Sequence, residues 1–268
     1  MRSTGRWFLR PPSPDAEARL FCLPYAGTGA SSYRHWPSRV GDLEVCAVQP
    51  PGREGRVGEA PYETFDAFAE GAAEALRPHL DRPYALFGHC MGALLSHALA
   101  ARLESLGVRR PSLLVVSSAK VPHEPPERRY RPPGPGLTGV FHPSMTDTQF
   151  AQEIQAVVDA TGGGEVLPEL MPLAVRVLRG DVEMCFRYTA PGPGPLTFPI
   201  TTIGWTDDPE TAPADMSRWN AYGTVRQRVL AGGKLTYLSA PTALIRLIDE
   251  EFTEAVTDTA PNGSGAAT

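Results

Sequence analysis

The chain has 268 residues, 42% hydrophobic and 21% charged, with 25 basic against 30 acidic side chains. This is ordinary globular composition, and the length buries a core without disulfides or metals as staples. A formal charge of −5 with scattered basic residues argues against a nucleic-acid or anionic-membrane surface, where basic side chains would cluster. Cys22, Cys46, Cys90 and Cys185 are widely spaced with no CxxC pair, which fits reduced thiols rather than a disulfide framework or zinc site. The first residues, MRSTGRWFLRPPSP, lack the apolar stretch of a signal peptide, and no window approaches the ~20 apolar residues of a membrane span. The expected setting is cytoplasmic, with no membrane and no nucleic acid as partner.

In chain order, short apolar runs alternate with longer helical patterns, the signature of an α/β fold with a mostly parallel sheet. Strands are predicted at residues 19–24 (RLFCLP), 43–49 (LEVCAVQ), 84–87 (YALF), 113–118 (LLVVSS), 199–204 (PITTIG) and 225–230 (VRQRVL). Apolar residues at helical spacing predict helices over 62–80, 91–106 and 241–252. The alternation breaks from about 120 to 195, which opens on HEPPERRYRPPGPG and closes on APGPGP. Between those turns lie two helical patterns, 146–161 and 168–188. Such an insertion is expected either to form a lid over a site or to decorate the sheet as an extra helical layer. A single domain is expected over 1–255, with a disordered tail at 256–268 whose composition offers little to bury.

The sharpest local signal is YALFGHCMGALLSHALA. A strand runs into Gly88, His89, Cys90, Met91 and Gly92, and a helical pattern follows. Strand, G-x-C-x-G and helix together form the nucleophile-elbow pattern of α/β-hydrolases, with cysteine where serine is usual. The turn is tight, so its flanking glycines are needed for close backbone approach. It also presents the nucleophile at a helix N-terminus, whose dipole favours a thiolate or oxyanion. Cys22, Cys46 and Cys185 lie in apolar elements and are read as inert core cysteines. His89 sits beside the nucleophile on this turn, so its side chain points elsewhere; its expected role is to support the elbow.

With these residues in view, the chain resembles a type II thioesterase, the stand-alone editing enzyme of polyketide and nonribosomal peptide assembly lines. The likeness runs from about residue 21 to 252. FCLPYAGTGASSYRHW resembles the family's first strand and oxyanion loop, VCAVQPPGREGR its QxPGRExR segment, and FGHCMGALLS its FGHSMGA elbow. RPSLLVVSSAKVP resembles the strand entering the lid, PITTIGWTDDPE the strand carrying the triad acid, and RVLAGGKLTYL the segment carrying the triad histidine. The resemblance implies an α/β-hydrolase fold with a helical lid. It implies oxyanion donors at the backbone amides of Ala26 and Met91, and an acid at Asp208, which precedes a proline, or at Asp207. It implies an acyl or peptidyl carrier protein as partner and a small acyl thioester substrate carried on phosphopantetheine. No metal, nucleotide or flavin cofactor is implied.

Two positions depart from the pattern. Cys90 replaces the serine, and Lys234, in GGKLTYL, stands where GGHFF-like segments carry the histidine. Neither His123 nor His142 matches the base position, although both flank the insertion. A cysteine can attack a thioester without a strong base, since a few per cent is thiolate near pH 7. Hydrolysis of the acyl-cysteine is harder, because a charged lysine cannot take a proton from water. Three readings follow: a hydrolysing carrier-protein thioesterase, an acyltransferase or cyclase working through acyl-Cys90, and a non-catalytic descendant that binds a carrier protein or small ligand. Arg128, Arg129 and Arg131 could meet an acidic carrier or its phosphate, or form a solvated turn. Trp36, Trp205 and Trp219 are expected in the core, with Trp205 also placed to line an acyl site.

Overall fold

The computed structural model describes residues 7–130 and 140–259. Four of its strands, β1 (Ala18–Leu23), β4 (Tyr84–His89), β5 (Leu113–Ser117) and β6 (Ile200–Trp205), are buried at every position. Continuous burial is what a parallel sheet covered on both faces demands. These four lie together in a seven-stranded sheet ordered β2-β3-β1-β4-β5-β6-β7, with β3 (Leu43–Ala47) and β7 (Val225–Leu230) outside them. Every pairing is parallel except the edge pair between β3 and β2 (Arg39–Val40). All six predicted strands are present. The two-residue β2 was not anticipated, because two residues carry no period.

Side-chain alternation along these strands builds two cores. Phe21, Leu23, Leu86, Leu114 and Val116 face α1 (Phe65–Leu76) and α2 (Met91–Ser105). Leu20, Cys22, Phe87, Val115, Ile203 and Trp205 face the opposite layer, where α6 (Thr242–Thr259) supplies Leu244, Ile248 and Phe252. The helix α6 runs past the expected end at 252 into the segment assigned to a tail. Ala255, buried, and Val256 prolong its apolar stripe, and Arg226 on β7 pairs with Glu254 at 2.7 Å. Residues 260–268 lie outside the described residues.

Between β5 and β6 come α3 (Pro126–Arg129), α4 (Asp147–Ala160) and α5 (Met171–Arg187). Thr146 and Gln149 close a capping box at the start of α4. The two longer helices of this insertion pack on each other through Phe150, Val175, Leu178 and Val182, with Ala26 of the β1 loop against the same cluster. No helix among the described residues is long and apolar enough to cross a membrane.

The chain leaves β1, visits β3 on one side, and returns to β4 on the other. The carboxyl ends of β1 and β4 therefore border a topological switch point, where open α/β sheets bind ligands. Close approach there rests on two glycines. A β-carbon on Gly88 would overlap the Gly92 carbonyl, and one on Gly92 would come within 2.5 Å of the Leu23 carbonyl oxygen. Gly92→Ala is expected to cost at least about 3 kcal/mol, the upper part of the overpacking range, because only backbone could yield. Urea unfolding of the variant measures this, and a loss under 1 kcal/mol would mean that β1 and α2 are not clamped.

Candidate active site

The elbow forms because β4 ends against the first turn of α2 with room for a single residue between them. Cys90 takes that place with φ 52° and ψ −118°, an uncommon conformation for a side-chain-bearing residue. Conformations of this kind cost about 1–3 kcal/mol and persist where neighbours enforce them. Here the Cys90 amide donates to the Ser117 carbonyl at 2.9 Å, and the glycine contacts close the turn.

His89 is fully buried under the turn. Its ring stacks on Tyr237 at 4.0 Å between centroids, and its Nδ1 lies 3.0 Å from Ser117 Oγ. Trp205 Nε1 donates to the same hydroxyl at 3.0 Å, which leaves the Ser117 proton free to point at His89 Nδ1. Burial, and then the nearby Lys234 ammonium, holds His89 well below its ordinary pKa, so the ring is neutral and structural. Trp36, Trp205 and Trp219 are all buried, and Trp205 does not line the cavity at Cys90.

That pocket opens to solvent and has a cavity volume of about 30 Å³. On the sheet side it is lined by Ala26, Cys90, Met91, Glu210 and Lys234, and on the insertion side by Tyr130, Phe141, Val182, Cys185 and Phe186. The residues proposed for nucleophile, oxyanion donors and base position thus share one small, largely apolar chamber. Cys185 was read as a core thiol; it is buried with its pKa raised, yet it also faces this space. Cys22 and Cys46 are buried thiols away from it, their pKa values raised first by burial.

The carboxylates divide the work differently from the sequence expectation. Asp207 is exposed. Asp208 is buried, but its carboxylate is held by the Ser118 hydroxyl and by the amides of Glu210 at 2.9 Å and Thr211 at 3.1 Å. Those bonds curl the loop after β6 so that Glu210, at 7% side-chain exposure, turns inward and forms an ion pair with Lys234. Glu210 was not singled out from the sequence, where an acid two residues beyond Asp208 looks like any solvated loop carboxylate. Burial disfavours the Lys234 ammonium, but Glu210, then Cys90 and Asp208, outweigh it and raise its pKa above the ordinary lysine value. Lys234 is held as a cation.

Cys90 is also shifted against the sequence expectation. The helix N-terminus was expected to favour its thiolate. Burial instead raises its pKa, while Lys234 and the Met91 amide pull it back only in part and Glu210 and Asp208 add to the rise. His123 pairs with Tyr222 Oη at 2.9 Å, His142 with Ser144 at 2.7 Å, and neither lines the cavity. Arg129 is buried, donating to the carbonyls of Cys185 and Tyr188, so it is not available to a partner; Arg128 is exposed and Arg131 lies outside the described residues.

The QPPGREGR segment explains how the β1 loop keeps its shape. Gln49 accepts from the Ala30 amide at 2.9 Å, and Glu54 from the Gly29 amide at 2.8 Å and the Ser31 hydroxyl at 2.6 Å. Arg53 forms a buried bidentate pair with Asp181 of α5, at 2.6 and 2.8 Å, and Asp181 also accepts from the Gly27 amide at 2.8 Å. The residue after Ala26 is therefore fastened to the insertion. Among the described residues, no group of three or more His, Cys, Asp or Glu side chains is arranged to hold a metal ion.

A family model described as a thioesterase domain matches residues 18–252. The chain belongs to the thioesterase family. It is 32% identical over 220 residues to the gramicidin S biosynthesis protein GrsT of Aneurinibacillus migulanus, covering 80% of each chain. Its structure is similar to the RedJ thioesterase of the prodiginine pathway of Streptomyces coelicolor, with TM-score 0.70, 32% identity, and 93% of each chain covered. It is likewise similar to BorB, the type II thioesterase of the borrelidin cluster, with TM-score 0.73, 31% identity, and 91% of this chain and 96% of that one covered. The chain is thus a type II thioesterase relative of polyketide and nonribosomal peptide pathways, with the α/β-hydrolase fold.

Two outcomes test this thioesterase's site. Asp181→Ala leaves Arg53 as an uncompensated buried charge and should cost ~3–5 kcal/mol in chemical unfolding; a loss near zero would show that the clamp carries no load. Because burial raises the Cys90 pKa, its thiolate is scarce at pH 7. Iodoacetamide labelling of Cys90, followed by mass, should therefore keep accelerating above pH ~8.5, where an ordinary thiol is half ionised. Lys234→Ala should push that profile higher still, since the ammonium lowers the thiol pKa; a profile that levels off below pH 8 would contradict both.

Proposed function

We propose that the protein takes an acyl group from a carrier-bound phosphopantetheine thioester onto Cys90 and passes it to a non-water nucleophile in preference to hydrolysing it. The observation that carries this reading is the Lys234–Glu210 ion pair beside Cys90, which fills the base position with a held cation. In the first half, the Cys90 thiolate attacks the thioester carbonyl, and the oxyanion meets the backbone amides of Ala26 and Met91. The carbonyl–sulfur bond of the carrier then breaks, and the departing thiolate takes up the proton that Cys90 gave up. A lysine ammonium in the chamber favours both anions.

The second half separates transfer from hydrolysis. The acyl-cysteine is itself a thioester, so its formation is nearly thermoneutral and reversible. An amine or a second thiol attacks it readily, whereas water needs a base to take its proton. With Lys234 charged, that base is absent from its family position. The pocket's aromatic and aliphatic walls suit an apolar acyl group, and at about 30 Å³ they must part to admit one.

The test is incubation with an acyl-N-acetylcysteamine thioester, followed by intact mass spectrometry with and without an amine or thiol acceptor. A single acyl adduct should form, persist in buffer and discharge to the acceptor, and Cys90→Ala should form none. Rapid turnover to free acid would mean ordinary hydrolysis. If several acyl chains give neither adduct nor thioester consumption, nucleophilic catalysis fails and a binding role replaces it.

A further inference from the structure

Glu210 lies outside the nucleophile, acid and base positions that the family motifs mark, yet it is buried, borders Cys90 and is paired with the residue at the base position. We propose that Glu210 is a positioning residue that decides the fate of acyl-Cys90: by keeping Lys234 an ammonium, it withholds a base from water and reserves the acyl group for an acceptor. This rests on the reading of Cys90 as the acyl carrier, and deepens it.

The geometry sets which charges Lys234 feels. From the elbow it faces Cys90 and His89, from the β1 loop Tyr25, and from the loop after β6 Asp208 and Glu210. His89 is neutral, and burial keeps the Tyr25 phenol protonated with its pKa raised to about 12. Acylation converts Cys90 into an uncharged thioester. The charges that continue to favour an ammonium, at 12% side-chain exposure, include the pair of carboxylates. Asp208 is already engaged by the Ser118 hydroxyl and two amides, which leaves Glu210 as the carboxylate in direct contact with the amine. Desolvation works against the charge, so removing Glu210's negative charge lets burial prevail.

A neutral Lys234 would complete a hydrolytic cycle. Water adds to the acyl carbonyl as its proton passes to the Lys234 amine; the carbon–sulfur bond breaks, and the Cys90 thiolate recovers that proton from the ammonium. With Lys234 already protonated, its amine cannot take that proton. An amine acceptor avoids the difficulty because it attacks as its own free base, and a thiol because it attacks as thiolate.

The experiment compares wild type, Glu210→Gln, Glu210→Asp, Lys234→Ala and the Glu210→Gln/Lys234→Ala double variant. Each is loaded from the same N-acetylcysteamine thioester, and the lifetime of the Cys90 adduct is followed by mass from pH 6 to 9 without acceptor. In E210Q the adduct should hydrolyse at least ~10-fold faster, a small part of what general bases contribute, with a rate that rises sigmoidally as the lysine loses its proton. The double variant should lose that gain, and E210D, which restores the charge, should move the lifetime back toward wild type. Independently of whether E210Q folds, wild type and K234A should discharge at the same slow rate with parallel pH trends.

An E210Q adduct as long-lived as wild type, or longer-lived, would overturn the inference and make Glu210 a bystander or itself the base. A wild-type discharge clearly faster than that of K234A would overturn it too, because Lys234 would already be acting. If wild type forms no adduct at all, the Cys90 reading fails and this inference with it, a result distinct from an adduct whose lifetime ignores Glu210.

Discussion

Everything at this site depends on how closely the backbone at the end of β1 approaches the first turn of α2. Gly92 has no side chain where the Leu23 carbonyl passes, and Gly88 has none where the Gly92 carbonyl sits. That contact forces Cys90 into its uncommon backbone conformation and lifts its sulfur off the sheet, with the Met91 amide beside it. It also brings the Ala26 loop to the rim of the same chamber. Cys90 and the backbone of Ala26 and Met91 are thus held together by steric closeness, before any titratable group takes part.

The insertion is joined to that framework by charge. Arg53, Asp181 and Gly27 form one buried knot between the QPPGREGR loop, α5 and the β1 loop. A buried pair of this kind adds little net stability over an apolar replacement, but it is costly to break from one side. Its effect is therefore geometric: α5 supplies an apolar wall of the chamber and also anchors the residue next to Ala26. Any movement of the insertion away from the sheet would have to part this pair.

Cysteine and lysine at these two positions make one consistent electrostatic arrangement once Glu210 is included. A cation beside a half-buried thiol offsets part of its desolvation, and a carboxylate beside that cation keeps it charged. Asp208 shapes the loop through the Glu210 and Thr211 amides, and Glu210 holds Lys234.

Much of this was legible in the sequence because it is written in local periods and motifs. Buried parallel strands are short apolar runs, amphipathic helices repeat every 3.6 residues, and the elbow needs small residues at fixed offsets from Cys90. The misses share a different cause. The two residues of β2 are too few to carry a pattern, and the extension of α6 turned on whether Ala255 and Val256 would find the sheet to pack on. Among the residues of DDPE, the chain alone could not say which carboxylate would meet Lys234, because backbone amides and the Ser118 hydroxyl compete for Asp208. Nor could it pair Arg53 with Asp181, 128 positions away. The sequence by itself determined the fold and the strand–turn–helix elbow around Cys90, since these depend on neighbours in the chain. Only the tertiary structure decided the partners and charge states of Lys234 and Cys90, because pKa values follow burial and the charges that folding brings near.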